Sequence, residues 1–311
     1  MEWLSEGMPG QGEGRLAATE GGAAEAGFRA GAALAALNPI SRAEHPLGGL
    51  WRQRLALGNA AVLARQAGRT EDEAALRDAW YLRRDGADPG PAGRLLKAWR
   101  RLGAPDAMQA DDWTPRLSVL LELRRDDALE EVVAVAASLA KGQGSAVTAA
   151  AEIAAVSLRV RPDSETLALW LADAVLAHRL NWPAPVPLLA GQVLAGQLRR
   201  GDFLRATQRH GDGDPVWLAA CSLAYARAAA VAADLYAELA RRACRLLAAA
   251  PKLRGKDADE MLAILMTEDA QPAAGGKAAS DRSGRRLFER LVSLGAVREL
   301  TGRPTFRLYG L

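Results

Sequence analysis

Four arginines, Arg282, Arg285, Arg286 and Arg290, recur at near-helical spacing close to the C-terminus, and Arg298, Arg303 and Arg307 follow them. A guanidinium group stays charged at any physiological pH and offers a planar fork of donors that fits phosphate oxygens. A row of such groups on one helix is chemistry suited to an anionic polymer, and duplex DNA is the partner it points to. The charge distribution agrees in direction. From Gly275 to Leu311 there are eight Lys and Arg against three Asp and Glu, net +5, whereas the whole chain is +3, which leaves the other residues at −2. Basicity concentrated at one end of a near-neutral chain is the footprint of a nucleic-acid module, although an exposed arginine face is also an ordinary solvated one.

The elements that must position these arginines can be read locally. Ser280 is a good N-cap, Asp281 places a negative charge in the first turn, and Gly295 supplies a stop, which predicts a helix over about 281–294. On its wheel Leu287, Phe288, Leu291, Val292 and Leu294 share one face and the four arginines the other. Two β-leaning runs follow, 296–300 and 305–309, joined by Thr301-Gly302-Arg303-Pro304, and they predict a hairpin centred on Gly302-Arg303. In that register Val297, Phe306 and Leu308 face the helix, while Arg298, Arg307, Thr305 and Tyr309 face away, with Arg298 opposite Arg307. Like charges in that position are unfavourable and would be relieved by an anion such as a nucleic-acid phosphate. Helix followed by hairpin is how a winged-helix unit ends. A preceding helix is expected over 259–269, where Met261, Leu262, Leu265 and Met266 hold helical spacing, but Pro272, Gly275 and Gly276 leave the middle helix of such a unit short or missing.

The ending from Ser280 to Leu311 resembles the bacterial family called domain of unknown function 1403. Leu37-Asn38-Pro39, Trp51-Arg52, Arg54-Leu55-Ala56-Leu57, Leu76-Arg77-Asp78-Ala79 and the run Pro89 to Arg94 are similar to that family's N-terminal half. The resemblance covers nearly all of the chain beyond its first thirty residues; it implies a bacterial, often plasmid-borne protein and supplies no activity. Arg298 to Arg303 is also similar to the end of domain of unknown function 1612 proteins, and that similarity implies a helix-turn-helix.

Upstream, strand-forming residues are sparse and alanine is abundant, so the body reads as all-α. Helices are predicted at 49–66, 71–84, 92–102, 115–124, 127–140, 146–160, 164–180, 187–199 and 215–249, with Thr70 and Glu73 as a capping box, Pro91 in a first turn and Asp214-Pro215 capping the long helix. The fold class expected is mainly α, an irregular multi-helix bundle with a small C-terminal winged-helix-like unit. It divides into a mobile N-terminal segment at 1–30, a helical body at 31–254 and the C-terminal unit at 255–311. No shared period marks a repeat.

Other constellations carry less. The loop from Asp85 to Gly93 precedes a helix with Arg94, Lys97, Arg100 and Arg101 and could hold an anion at that helix N-terminus, but it follows no strand and reads as a turn. His45, His178 and His210 are dispersed, Asp212 and Asp214 lack the spacing of a calcium loop, and Cys221 and Cys244 lie far apart on one helix and read as buried thiols. Acid pairs are consecutive, and no nucleophile motif is present. The expected protein is therefore non-enzymatic and cytoplasmic, without cofactor, metal or membrane, and binds duplex DNA; a helical scaffold for a protein partner fits the same residues, and a remoter alternative is an enzyme whose residues converge from distant helices. Prolines 183, 185 and 187 break the longest uncharged run, and no convergent polar set marks a ligand pocket.

Overall fold

Side-chain caps set several helix starts. The Asp126 carboxylate accepts from Leu129 N at 3.1 Å, the Ser145 hydroxyl from Thr148 N at 3.3 Å, and the Asp214 carboxylate from Val216 N at 3.0 Å and Trp217 N at 3.3 Å. Each satisfies a first-turn donor that the helix itself leaves open. In the computed structural model, which describes residues 20–83, 86–108, 113–194, 198, 214–253, 258–273, 281–301 and 306–311, these helices belong to an irregular bundle. Its helices are α1 (Glu20–Arg42), α2 (Gly48–Gln66), α3 (Glu73–Tyr81), α4 (Gly90–Leu102), α5 (Trp113–Leu120), α6 (Asp127–Lys141), α7 (Ala146–Val160), α8 (Glu165–Arg179), α9 (Pro215–Ala249) and α10 (Ala258–Thr267). Strand β1 (Gln271–Pro272), helix α11 (Asp281–Ser293) and strands β2 (Arg298–Glu299) and β3 (Leu308–Gly310) complete it.

Alanine explains the tightest packing. Helix α1 lies along α9, with Ala30, Ala33 and Leu37 of the first and Ala229 and Ala232 of the second all buried, and side chains this small let two helices approach closely. Residues 20–30, part of the stretch expected to be mobile, form the first turns of α1. Helix α7 packs on α8 and α2 on α4, around Trp51, Trp99 and Tyr225, which are fully buried. The start of α3 departs from the expected capping box: Asp72, not Thr70, is the N-cap, and its carboxylate accepts from Ala75 N at 2.9 Å. Pro215–Lys252 is long and apolar enough to cross a membrane, and 72% of its most apolar window is buried inside the fold. Both cysteines lie on α9, but only Cys221 is buried; Cys244 is exposed, which corrects the reading of two buried thiols.

The helix expected at 187–199 is largely absent among the described residues. Trp182, Val186, Leu188 and Leu189 are instead threaded through the core as irregular chain ending in a single 3-10 turn, Leu189–Gln192. Buried irregular backbone needs outside partners for its polar groups. Asp173 of α8 supplies them by accepting from Leu188 N at 2.8 Å and Leu189 N at 3.2 Å, while Asn59 Nδ2 donates to Pro187 O at 3.0 Å and Arg52 Nε to Pro185 O at 3.3 Å.

Burial pushes the Asp173 carboxyl up to about 7, against the opposing effect of the two backbone donors and the neighbouring Tyr225 hydroxyl. The folded protein thus holds a proton that the unfolded chain releases near its ordinary value of about 3.9. That contribution to stability is full below the unfolded value, falls as pH rises through the window and is gone above about 7. Between pH 5 and 7.5, where ordinary carboxylates have finished titrating, denaturant midpoints are expected to decline with rising pH in the wild type. In Asp173→Asn that decline should be gone, leaving only the rise that His45 contributes because burial lowers its pKa; equal slopes in the two proteins would refute the assignment.

Candidate nucleic-acid interface

Helix α11 splits as its sequence pattern requires. Phe288 and Leu291 are fully buried, and Gly295 at φ 65° closes the helix, with Ala296 N donating to Leu291 O at 2.9 Å. On the opposite side Arg285, Arg286 and Arg290 are exposed, and among the described residues none has a carboxylate within 4.0 Å. Glu289 is exposed between them, so the face is mixed, though its arginines outnumber its one acid. The Arg282 side chain and all of Arg303 lie outside the described residues.

The sheet is three-stranded and antiparallel in the order β1-β3-β2. Together with α10 before it and α11 within it, this forms a small winged-helix-like element. Residues 274–280, where a middle helix would fall, are outside the described residues.

The predicted hairpin register is corrected. Arg298 lies across from Gly310 and Glu299 across from Tyr309, so Arg298 and Arg307 are not paired. Two features hold the shifted register. Strand β1 binds the other edge of β3, pairing Gln271 with Tyr309 and Pro272 with Leu308, and Tyr309 stacks on Phe288 with ring centroids 4.6 Å apart. Tyr309 is therefore buried instead of facing away, and Phe306, at φ 53°, turns its ring outward and is 76% exposed instead of packing on the helix. Arg307 lies 3.6 Å from the Glu299 carboxylate, and Arg298 lines a cavity against the helical body. Of the seven arginines singled out from sequence, the structure gathers Arg285, Arg286 and Arg290 on one outward surface and places Arg298 and Arg307 elsewhere.

What fixes this unit to the body is a buried ion cluster. Asp269, fully buried after α10, binds Arg54 of α2 and accepts from Arg77 Nε of α3 at 2.8 Å. Burial alone would raise the Asp269 carboxyl, but the Arg54 and Arg77 charges outweigh it and hold it below its usual value. The same Arg54 donates to the backbone oxygens of Asp269 at 3.0 Å and Leu311 at 3.1 Å. Gly310 makes room for this closeness: a Cβ there would stand 2.5 Å from Asp269 O. One arginine thereby ties α2 to Asp269 and Leu311 of the C-terminal unit, and the arginine face of α11 is left outward.

The remaining candidates resolve simply. Asp88 accepts from Gly90 N at 3.1 Å and pairs with Arg94 at 2.8 Å, so the N-terminus of α4 is already served by the protein's own carboxylate. His45 packs edge-on against Tyr236 at 4.7 Å, and no group of three His, Cys, Asp or Glu that could hold a metal occurs among the described residues. His210 and Asp212 lie outside them.

No curated protein matches the chain. A family model does, and it runs unbroken through body and C-terminal unit alike, while the similarity of Arg298 to Arg303 to domain of unknown function 1612 proteins gains no support. With residues 5–311 matched, the chain belongs to the family described as protein of unknown function (DUF1403).

Proposed function

We propose that this protein is a non-enzymatic duplex-DNA-binding protein whose C-terminal unit places α11 against the groove. The reading rests above all on the exposed Arg285, Arg286 and Arg290, which have no carboxylate within 4.0 Å among the described residues. Arginines committed to holding a helix on its own body would be paired there, as Arg54 and Arg77 are. An outward guanidinium row on the helix that precedes a strand pair is the arrangement that winged-helix proteins use toward DNA. Arg282 and Arg303 extend that surface in sequence. Arg307, which shares its charge with Glu299, and Arg298 lie off that surface and are not part of the contact in this reading.

Fluorescence anisotropy with a labelled mixed-sequence duplex provides the test. At about 100 mM salt, Arg285→Ala, Arg286→Ala and Arg290→Ala together are expected to lower affinity at least about tenfold, since each removes a phosphate contact. Because all three side chains are exposed, the denaturation midpoint of the variant is expected to match that of the wild type. Absence of binding by the wild-type protein would shift the role of this surface to an acidic protein partner.

A further inference from the structure

Between the helical body and the C-terminal unit lies a cavity of about 560 Å³. Its charged lining comes from distant parts of the chain: Arg54 and Arg65 from α2, Arg77 from α3 and Arg298 from β2, with Glu73 and Glu299 the acids among the described residues that line it. The charges are unequally satisfied. Asp269 is shared by Arg54 and Arg77, Glu73 lies 3.6 Å from Arg77, and Glu299 is 3.6 Å from Arg307. Arg65 and Arg298 are left with no carboxylate within 4.0 Å among the described residues. Burial, and after it the charges of Arg242, Arg54 and Arg77 against that of Glu238, lowers the Arg298 guanidinium pKa, so a bound anion would relieve it. The other wall is apolar, with Leu55, Val62, Val231 and Leu235 lining it.

We propose that this cavity binds a small organic anion, its carboxylate or phosphate held by Arg65, Arg77 and Arg298 and its apolar part seated on Leu55, Val62 and Leu235. A concave site with apolar walls and a few convergent charged groups is the usual form of a small-ligand pocket. Guanidinium groups arriving from different elements suit a carboxylate or phosphate that accepts several hydrogen bonds at once. Because Arg298 belongs to the C-terminal unit and Arg65 and Arg77 to the body, an occupant bridges the two and stabilises their docked arrangement. Occupancy of the cavity does not depend on the DNA reading, and its test measures no DNA.

Titration calorimetry in low-salt, phosphate-free buffer would use phenyl phosphate and phenylacetate as probes, with 2-phenylethanol as the uncharged control. One saturable site per chain is expected for at least one anion and none for the alcohol, and the anion that binds identifies the head group. Arg65→Ala and Arg298→Ala, each at a partly exposed side chain, should each weaken that binding about tenfold or more, the scale of one charged hydrogen bond. Lys141→Ala, remote from the cavity, should leave it unchanged. No saturable binding of either anion, binding of the alcohol equal to that of the anions, or either arginine variant retaining affinity within about threefold overturns the proposal.

Discussion

Replacing Asp269 by Ala is expected to destabilise the protein by about 3–5 kcal/mol, measured by denaturant unfolding at neutral pH, because it strands two buried guanidinium charges. Arg54 and Arg77 are 5% and 8% exposed in their side chains, so water can do little to compensate. Asp269→Asn should cost nearly as much, since the amide keeps the shape and loses the charge. The attraction itself is not what makes the loss large. Removing two ions from water is expensive, and the native structure offsets that cost only while all three partners are present. The combined variant Arg54→Met, Arg77→Met, Asp269→Leu is therefore expected to be more stable than Asp269→Ala alone. If it were less stable, stranded charge would not be the cause of the Asp269→Ala loss, and this interpretation of the cluster would be wrong.

Trp51→Ala should have an effect of similar size, about 3–5 kcal/mol, from the cavity it leaves. Trp51 is fully buried at the crossing of α2 and α9, its indole N–H donates to Ala232 O at 2.7 Å, and its ring meets Tyr236 edge-on at 6.2 Å. Trp51→Phe keeps much of the volume and loses that hydrogen bond, so about 1–2 kcal/mol is expected from the smaller variant. Equal losses in the two variants would mean that packing at this crossing contributes little. Because α2 also carries Arg54, loosening Trp51 should weaken the seat of the C-terminal unit as well.

The sequence made the helices legible wherever a cap and a period coincide. Asp214-Pro215 announces α9, and Gly295 ends α11 as expected. It was less informative where partners are remote. The irregular segment through Val186 and Leu189 is held by Asp173, Asn59 and Arg52, and no local pattern tells a helix at 187–199 from chain threaded through a core. The register of β2 and β3 depended on β1, a two-residue strand around Pro272 that composition argues against. The Arg54 to Asp269 contact joins residues 215 apart. One signal for it was present: Arg54 falls on the same helix stripe as Leu50, Trp51 and Leu57, and an arginine on an apolar stripe calls for a buried counter-charge. The cavity beside it was not visible in advance, because its arginines come from α2, α3 and β2 and meet only when the C-terminal unit docks.

The central claim, that the outward arginines of α11 contact phosphates, is tested most directly by the salt dependence of duplex binding. Wild-type protein should show log affinity falling linearly with log salt, and the variant lacking Arg285, Arg286 and Arg290 should show a slope shallower by about 3, from about 0.9 per phosphate contact. Identical slopes in the two proteins, or a wild-type slope near zero, would contradict the account.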